Sequence, residues 1–224
     1  MANKIPNVTG VILAGGTSSR MGSNKALLPY QGRRLIETVY GHLAAVFTEV
    51  IVVTNAPQQY RFLPCMKVKD VFAGGGALAG IHAGLCHSGS PAVFVVACDM
   101  PYLNEAFIRH LASKAASVDV VIPRGPAGLE PLHAVYGRGC LAAMEASLAR
   151  GEKKISSFFG ETTVEIVTEE HITTFDPEFK SFRNINTPMD YYRLRAERHS
   201  ESPFFKHAQR YDSDSCSLTF FNLI

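Results

Sequence analysis

Val8-Thr9-Gly10-Val11-Ile12-Leu13-Ala14-Gly15-Gly16-Thr17-Ser18-Ser19-Arg20-Met21-Gly22-Ser23-Asn24-Lys25 is the stretch on which the reading of this chain turns. Val8 to Ala14 is apolar and β-prone, and glycines end it. A short apolar run bounded by turn residues is the pattern of a strand buried on both faces. Glycines after such a strand let backbone N–H groups approach an anion that side chains would obstruct. Arg20 and Lys25 then place two cations on the loop. Two familiar patterns are missing. Lys25 is three positions beyond Gly22 rather than next to it, so there is no G-x-x-x-x-G-K-[ST], and there is no G-x-G-x-x-G. P-loop GTPases and dinucleotide dehydrogenases are therefore poor fits. What remains is a long loop able to set Arg20 and Lys25 on one triphosphate; the rival reading is a Gly-Ser turn with surface basic residues.

Outward from this stretch, strand and helix patterns alternate. Leu35, Val39, Leu43 and Val46 recur at helical spacing, and Val50 to Thr54 is a buried-strand run. Met66 to Lys69 is a weaker strand, and Gly74-Gly75-Gly76 opens a helix with Leu78, Ile81 and Leu85 on one face. Ala92 to Ala97 is the strongest strand and runs into Cys98-Asp99-Met100-Pro101. Asn104 suits the cap of a helix whose face is Phe107, Ile108, Leu111 and Ala115, and Asp119 to Pro123 reads as a further strand. Such alternation predicts an α/β fold with a mostly parallel sheet. Ligands in such sheets lie beyond the carboxyl ends of the strands, here Ala14–Lys25, Asn55, Asp70–Gly76 and Asp99–Pro101. The second half is less regular: strands over Glu130 to Tyr136, Val164 to Val167 and Phe182 to Thr187, a helix through Leu141, Met144 and Leu148, and another from Pro188 to about Arg198. From His199 the pattern fails, and residues 199–224 read as a poorly ordered tail.

Composition narrows the class. The 224 residues, 46% hydrophobic and 19% charged, can bury a core without staples. The net charge of +2 argues against a dedicated nucleic-acid binder. It conceals an asymmetry: the first 36 residues carry five basic side chains and no acidic one, against 17 basic and 20 acidic in the rest. A local positive excess beside glycines suits a small anion. The longest apolar run, Ala92 to Cys98, falls far short of the roughly 20 residues that span a bilayer, and the start has no signal-peptide pattern. Five scattered cysteines without a C-x-x-C pair suit reduced structural thiols and a cytoplasmic setting.

Leu13 to Lys25 resembles the L-x-G-G-x-[SG]-x-R-M-G-x-x-K signature of nucleotidyltransferases with the nucleotide-diphospho-sugar transferase fold, and within them the molybdenum cofactor guanylyltransferases. The resemblance runs from about Val8 to Leu194. It implies a three-layer Rossmann-like sheet with helices on both faces. One nucleotidyltransferase domain over 1–198 would have its nucleotide-binding half at about 1–123 and its acceptor-binding half at about 124–198. Leu13, Ala14, Gly15, Gly16, Lys25, Asn55, Asp70 and Asp99 would bind nucleotide, with Lys25, Arg20 and Asp99 catalytic.

Asp99 sits at a strand end facing the loop, which suits a Mg²⁺ that prefers hard oxygens and substrate phosphates. The rival reading of Asp99 is a turn residue before Met-Pro, and C-D-x-P matches the family's Mg²⁺ motif. Asp70 has the alternative of a salt bridge to Lys67 or Lys69. Gly74 to Gly80 resembles the family's G-P-L-A-G loop, with Ala77 in place of the proline. Phe182 to Pro188 contains the family's N-I-N-T-P motif. Asn184 and Asn186, alternating on a strand, would present donors and acceptors to the acceptor, while Asn186 or Thr187 could instead cap the helix that Pro188 opens. Glu130-Pro131-Leu132-His133 resembles a segment bordering the acceptor site, and His133 alone reads as a satisfied core histidine.

The resemblance thus implies a cytoplasmic, Mg²⁺-dependent transfer of GMP from GTP to the phosphate of molybdopterin or molybdenum cofactor. The enzyme is expected to be a monomer without nucleic-acid or membrane partners. Other cofactor-biosynthesis proteins or acceptor molybdoenzymes would be its protein partners. The rivals are CTP in place of GTP, a sugar phosphate acceptor, or a nucleotide-binding module without catalysis.

Overall fold

The computed structural model describes residues 3–15 and 24–201, the last five through their backbone. Backbone packing divides the chain into two compact units, Met1–Ile185 and Asn186–Ile224. In the first, β1 (Val8–Leu13) precedes a small hairpin of β2 (Pro29–Tyr30) and β3 (Arg33–Arg34), then α1 (Leu35–Val46) and β4 (Val50–Val53). Next come β5 (Met66–Val68), α2 (Gly76–His87), β6 (Ala92–Ala97), α3 (Glu105–Ser113), β7 (Val120–Gly125) and β8 (Gly128–Leu129). The unit ends with β9 (His133–Gly137), α4 (Leu141–Ala149), β10 (Val164–Val167) and α5 (Glu169–Thr173).

One sheet runs in the order β10-β7-β9-β6-β1-β4-β5, with β8 paired to β7. β1, β4, β5 and β6 are mutually parallel, and their register sets Leu13 between Val53 and Ala97. β9 is antiparallel to both β6 and β7, so it interrupts the parallel series. Each central strand is apolar on both faces. Val8, Ile12, Val52, Phe94 and Val96 pack with Val39 and Leu43 of α1, Phe107 of α3 and Ile172 of α5. Val11, Ile51, Val53, Val93 and Val95 face Leu78 and Ile81 of α2 and Met144 and Leu148 of α4. Full burial contributes about 1.5–3 kcal/mol for each such side chain, which is why continuous apolar strands end up between two helical layers. This is the mostly parallel α/β sheet with helices on both faces that the sequence predicts.

Two glycines set how closely the helices approach. A Cβ on Gly10 would lie 2.9 Å from Phe47 Cδ2, and one on Gly84 would lie 2.8 Å from Val11 Cγ1. Asn104 caps α3 as expected, its Oδ1 accepting from Phe107 N at 3.0 Å. Among the described residues, no helix is long and apolar enough to cross a membrane.

One expected strand is absent. Residues 182–187 pair with no strand; a 3₁₀ turn at Lys180–Phe182 gives way to irregular backbone. Their backbone donors go elsewhere: Ile185 N donates to Asp99 O, and the N–H groups of Asn186 and Thr187 donate to Asp190 Oδ2 at 3.0 and 2.8 Å.

The second unit is described as α6 (Pro188–Glu201), which extends beyond the expected Arg198. Thr187 is its cap, with Oγ1 accepting from Asp190 N at 3.1 Å, and Pro188 takes the first helical position, where its missing N–H costs nothing. Of the tail expected at 199–224, residues 202–224 lie outside the described residues.

Candidate active site

The carboxyl ends of β4, β1 and β6 are laced together. Ala14 N donates to Val53 O at 2.9 Å, and Cys98 N donates to Leu13 O at 3.1 Å. These bonds carry the register past the strand ends, so that Asp99 follows directly from a residue tied to Leu13. Lys25 Nζ stands 3.8 Å from Asp99 Oδ2, both side chains being about 15% exposed. The structure therefore brings together Leu13, Ala14, Lys25 and Asp99, with Gly15 the last described residue after β1. Gly16 and Arg20 lie outside the described residues.

Lys25 is positioned by residues that sequence reading did not single out. It opens a 3₁₀ turn, Lys25–Leu27, capped by Asn24, whose Oδ1 accepts from Ala26 N at 3.1 Å. Asn24 Nδ2 also donates to Gln59 Oε1 at 2.7 Å and to Tyr60 Oη at 2.9 Å. Tyr60, 2% exposed, reaches back with its hydroxyl to Ala14 O at 3.5 Å. Asn24 was findable as a capping residue before a turn. Tyr60 carries no such local signal.

Burial raises the Asp99 carboxyl above its ordinary value, and Lys25 pulls it back down. A largely buried carboxylate beside the Lys25 ammonium is a hard oxygen donor suited to a divalent ion. Among the described residues no group of three or more His, Cys, Asp or Glu could form a protein cage for a metal. Asp99 is a donor of the kind Mg²⁺ takes, since that ion commonly binds through one or two carboxylates and completes its shell with substrate phosphates and water. Burial first, then the Asp99 charge, pushes the Cys98 thiol up to about 12, away from the thiolate form. The four cysteines among the described residues, Cys65, Cys86, Cys98 and Cys140, are free thiols.

Asn55 and Asp70 meet at the ends of β4 and β5. Asn55 Nδ2 donates to Asp70 Oδ2 at 2.9 Å, and Asp70 N donates to Asn55 Oδ1 at 3.3 Å. Among the described residues Asp70 forms no salt bridge to Lys67 or Lys69; Lys67 turns its ammonium to the carbonyls of Leu63 and Cys65. Gly80 lies beneath this pair, where a Cβ would be 3.7 Å from Asp70 Oδ1. Ala77, in the place of the family's proline, sits in the first turn of α2, after Gly74 and Gly76 at φ of +72° and +64°.

Ile185 N donates to Asp99 O at 3.0 Å, which draws Asn184 into the neighbourhood of the same strand end; its side chain is exposed. Asn186 belongs to the second unit, and the capping side chain there is that of Thr187. With no strand at 182–187, the two asparagines do not share a strand face.

His133 departs from expectation in one respect. It is fully buried, yet neither ring nitrogen has a hydrogen-bond partner among the described residues. Phe107 stacks on it at 5.3 Å, and Phe94 and Phe182 meet it edge-on at 5.1 and 5.3 Å. Burial lowers its pKa to about 3, so it is a neutral core residue, unsatisfied rather than satisfied.

Residues 10–166 match the model of the MobA-like NTP transferase domain. The chain belongs to this family. The MobA-like match contains Asn55, Asp70, Asp99 and Glu130, while Asn184 and Asn186 lie beyond it. A protein of Pelotomaculum thermopropionicum titled "Probable molybdenum cofactor guanylyltransferase" is 41% identical over 187 residues, covering 84% of this chain and 91% of that one. The "Molybdenum cofactor guanylyltransferase" of Desulfosudis oleivorans is 37% identical, with 84% and 95% covered. Among solved structures, the molybdopterin-guanine dinucleotide biosynthesis protein A of Archaeoglobus fulgidus superposes with a TM-score of 0.76 at 30% identity, over 87% of this chain and 100% of that one.

Proposed function

We propose that this chain is a molybdenum cofactor guanylyltransferase. It transfers GMP from GTP to the terminal phosphate of molybdopterin or its molybdenum-loaded form, yielding the guanine dinucleotide cofactor and pyrophosphate. The observation that carries the reading is the 3.8 Å approach of Lys25 to Asp99 at the carboxyl ends of β1 and β6. An oxygen of the acceptor phosphate attacks the α-phosphorus of GTP; the bond from that phosphorus to the bridging oxygen breaks, and pyrophosphate leaves with the electron pair. A phosphate monoester is already ionised, so the residues need to orient and neutralise rather than abstract a proton.

Lys25 places its ammonium where charge builds on the triphosphate, and Tyr60 and Asn24 hold the turn that carries it. Mg²⁺ bound through Asp99 would neutralise charge on the α-phosphate and the departing pyrophosphate. The loop glycines, Leu13 to Gly16, and Arg20 belong to the same anion site on the strength of the signature. Asp70, fixed by Asn55, accepts only, so it suits the adjacent N–H and NH₂ of guanine. Cytosine offers no such donor pair, which favours GTP over CTP. Asn184 and Asn186 are assigned to the acceptor. The enzyme is read as a cytoplasmic monomer of one nucleotidyltransferase domain, 1–198, delivering its product to other cofactor-biosynthesis proteins or to acceptor molybdoenzymes.

The test is to incubate the protein with Mg²⁺, molybdopterin and each α-labelled nucleoside triphosphate. Label should pass from GTP to the pterin product. Transfer from CTP alone would overturn the nucleotide assignment, and no transfer from any nucleotide would leave a binding module.

A further inference from the structure

A third acidic side chain stands at the ligand edge of the sheet, unused by the reaction above. Glu130 N donates to Pro123 O at 2.9 Å, and Glu130 O accepts from His133 N at 3.0 Å, so the residue is fixed where β9 begins. Because β9 is antiparallel to β6 and β7, its start lies at their carboxyl ends, the edge that also carries Asp99. The carboxyl shares a small space with an aromatic ring. A Cβ on Gly125 would lie 3.4 Å from Glu130 Oε1 and 3.1 Å from Phe182 Cδ2. Phe182 in turn rests on His133 and Phe107, at 5.3 and 6.1 Å between centroids. Burial pushes the Glu130 carboxyl up to about 7, and no cation or N–H donor among the described residues draws it back. A half-buried carboxylate left without donors is costly, and it gains most from a ligand that supplies them.

Position in the sheet says which ligand. Asn55 and Asp70 lie on the β4–β5 side of β1 and β6, and Glu130 lies on the opposite, β9–β7 side. The phosphate centre at Lys25 and Asp99 falls between them. A dinucleotide product has one heterocycle on each side of its phosphates. We propose that Glu130 is the specificity-determining residue of the acceptor site, its two carboxylate oxygens accepting the ring N–H and exocyclic NH₂ of the pterin while Phe182 supplies the adjoining apolar surface. The two carboxylates, Asp70 and Glu130, then read the same donor pair on guanine and on pterin from opposite ends. This inference rests on the functional reading above.

The experiment compares the full-length protein with Glu130→Gln, which keeps the size of the side chain but turns one acceptor into a donor. Binding of molybdopterin is followed by pterin fluorescence without nucleotide, and KM is measured separately for molybdopterin and GTP. In Glu130→Gln, the Kd and KM for molybdopterin should rise at least about tenfold, with the KM for GTP within about twofold of wild type. Gly125→Ala, which fills the space between Glu130 and Phe182, should move the same two quantities in the same direction. An unchanged molybdopterin affinity in Glu130→Gln, while the wild type transfers GMP, overturns the assignment of Glu130 and leaves the guanylyltransferase reading intact. A loss that falls on GTP instead of molybdopterin also overturns it. Failure of the wild type to transfer GMP to molybdopterin overturns both.

Discussion

Lys25 and Asp99 face one another across 3.8 Å, each about 15% exposed, and their pairing sets up the first prediction. Removing either takes away the charge that faces the other and, in the proposed mechanism, one of the groups that neutralise the triphosphate. Lys25→Ala and Asp99→Ala should each lower turnover at least about tenfold, or about 1.4 kcal/mol of barrier, in the labelled-GTP assay. Near-normal rates in both would remove the pair from the mechanism. Tyr60 acts one step away. Tyr60→Phe removes the hydroxyl that joins Asn24 to Ala14, so kcat should fall several-fold while the unfolding free energy falls by about 0.5–1.5 kcal/mol for each of the two hydrogen bonds lost. Lys25 and Asp99 were legible as candidates because a lysine after a glycine loop and an aspartate after an apolar strand stand out locally, and the structure sets them side by side. Tyr60 was not, since its role depends on partners 36 and 46 positions away.

Between elements, close packing decides. Gly84 of α2 lies against Val11 of β1, and a Cβ there would be 2.8 Å from a valine methyl. β-branched Val11 has little freedom to turn aside in a strand. Gly84→Ala should therefore destabilise the fold by about 1–3 kcal/mol despite the better helix propensity of alanine, as chemical denaturation would measure. The central strands were readable as elements because an apolar run bounded by glycine or aspartate has few alternatives. Direction was not readable. Nothing in Glu130 to Tyr136 says that β9 runs against its neighbours, since a strand's side-chain pattern is the same either way. Phe182 to Thr187 failed for the converse reason: alternation was present, but Asp190 and the Asp99 carbonyl captured the backbone donors that a ladder would need.

Among the described residues, buried His133 and half-buried Glu130 act on stability in opposite senses. His133 has its pKa lowered from 6.5 to about 3, so between those values the unfolded chain holds a proton that the native state refuses. Stability should rise with pH there, by up to about 1.4 kcal/mol per unit, and level off above pH 6.5. Glu130 has its pKa raised from 4.5 to about 7, so the native state holds the extra proton and stability should fall as pH rises through that window. Its slope is shallower, because the carboxyl is only half-buried. From pH 4.5 to 6.5 the two slopes oppose one another. His133→Phe should expose the falling slope, and Glu130→Gln should steepen the rising one, in unfolding free energies measured at intervals across that range. Profiles parallel to wild type in both variants would contradict the assignment. The inverted strand has a kinetic consequence as well. β6 and β7 are consecutive parallel strands in the chain, yet β9 lies between them. Among the described strands β7 pairs only with β8, β9 and β10, all of which follow it in the chain, so a nascent chain that has emerged as far as Gly125 has nothing to seat β7 and leaves the outer edge of β6 open. Residues 133–137 cover that edge and give β7 its place in the sheet; until they arrive the open edge offers a template for pairing between molecules.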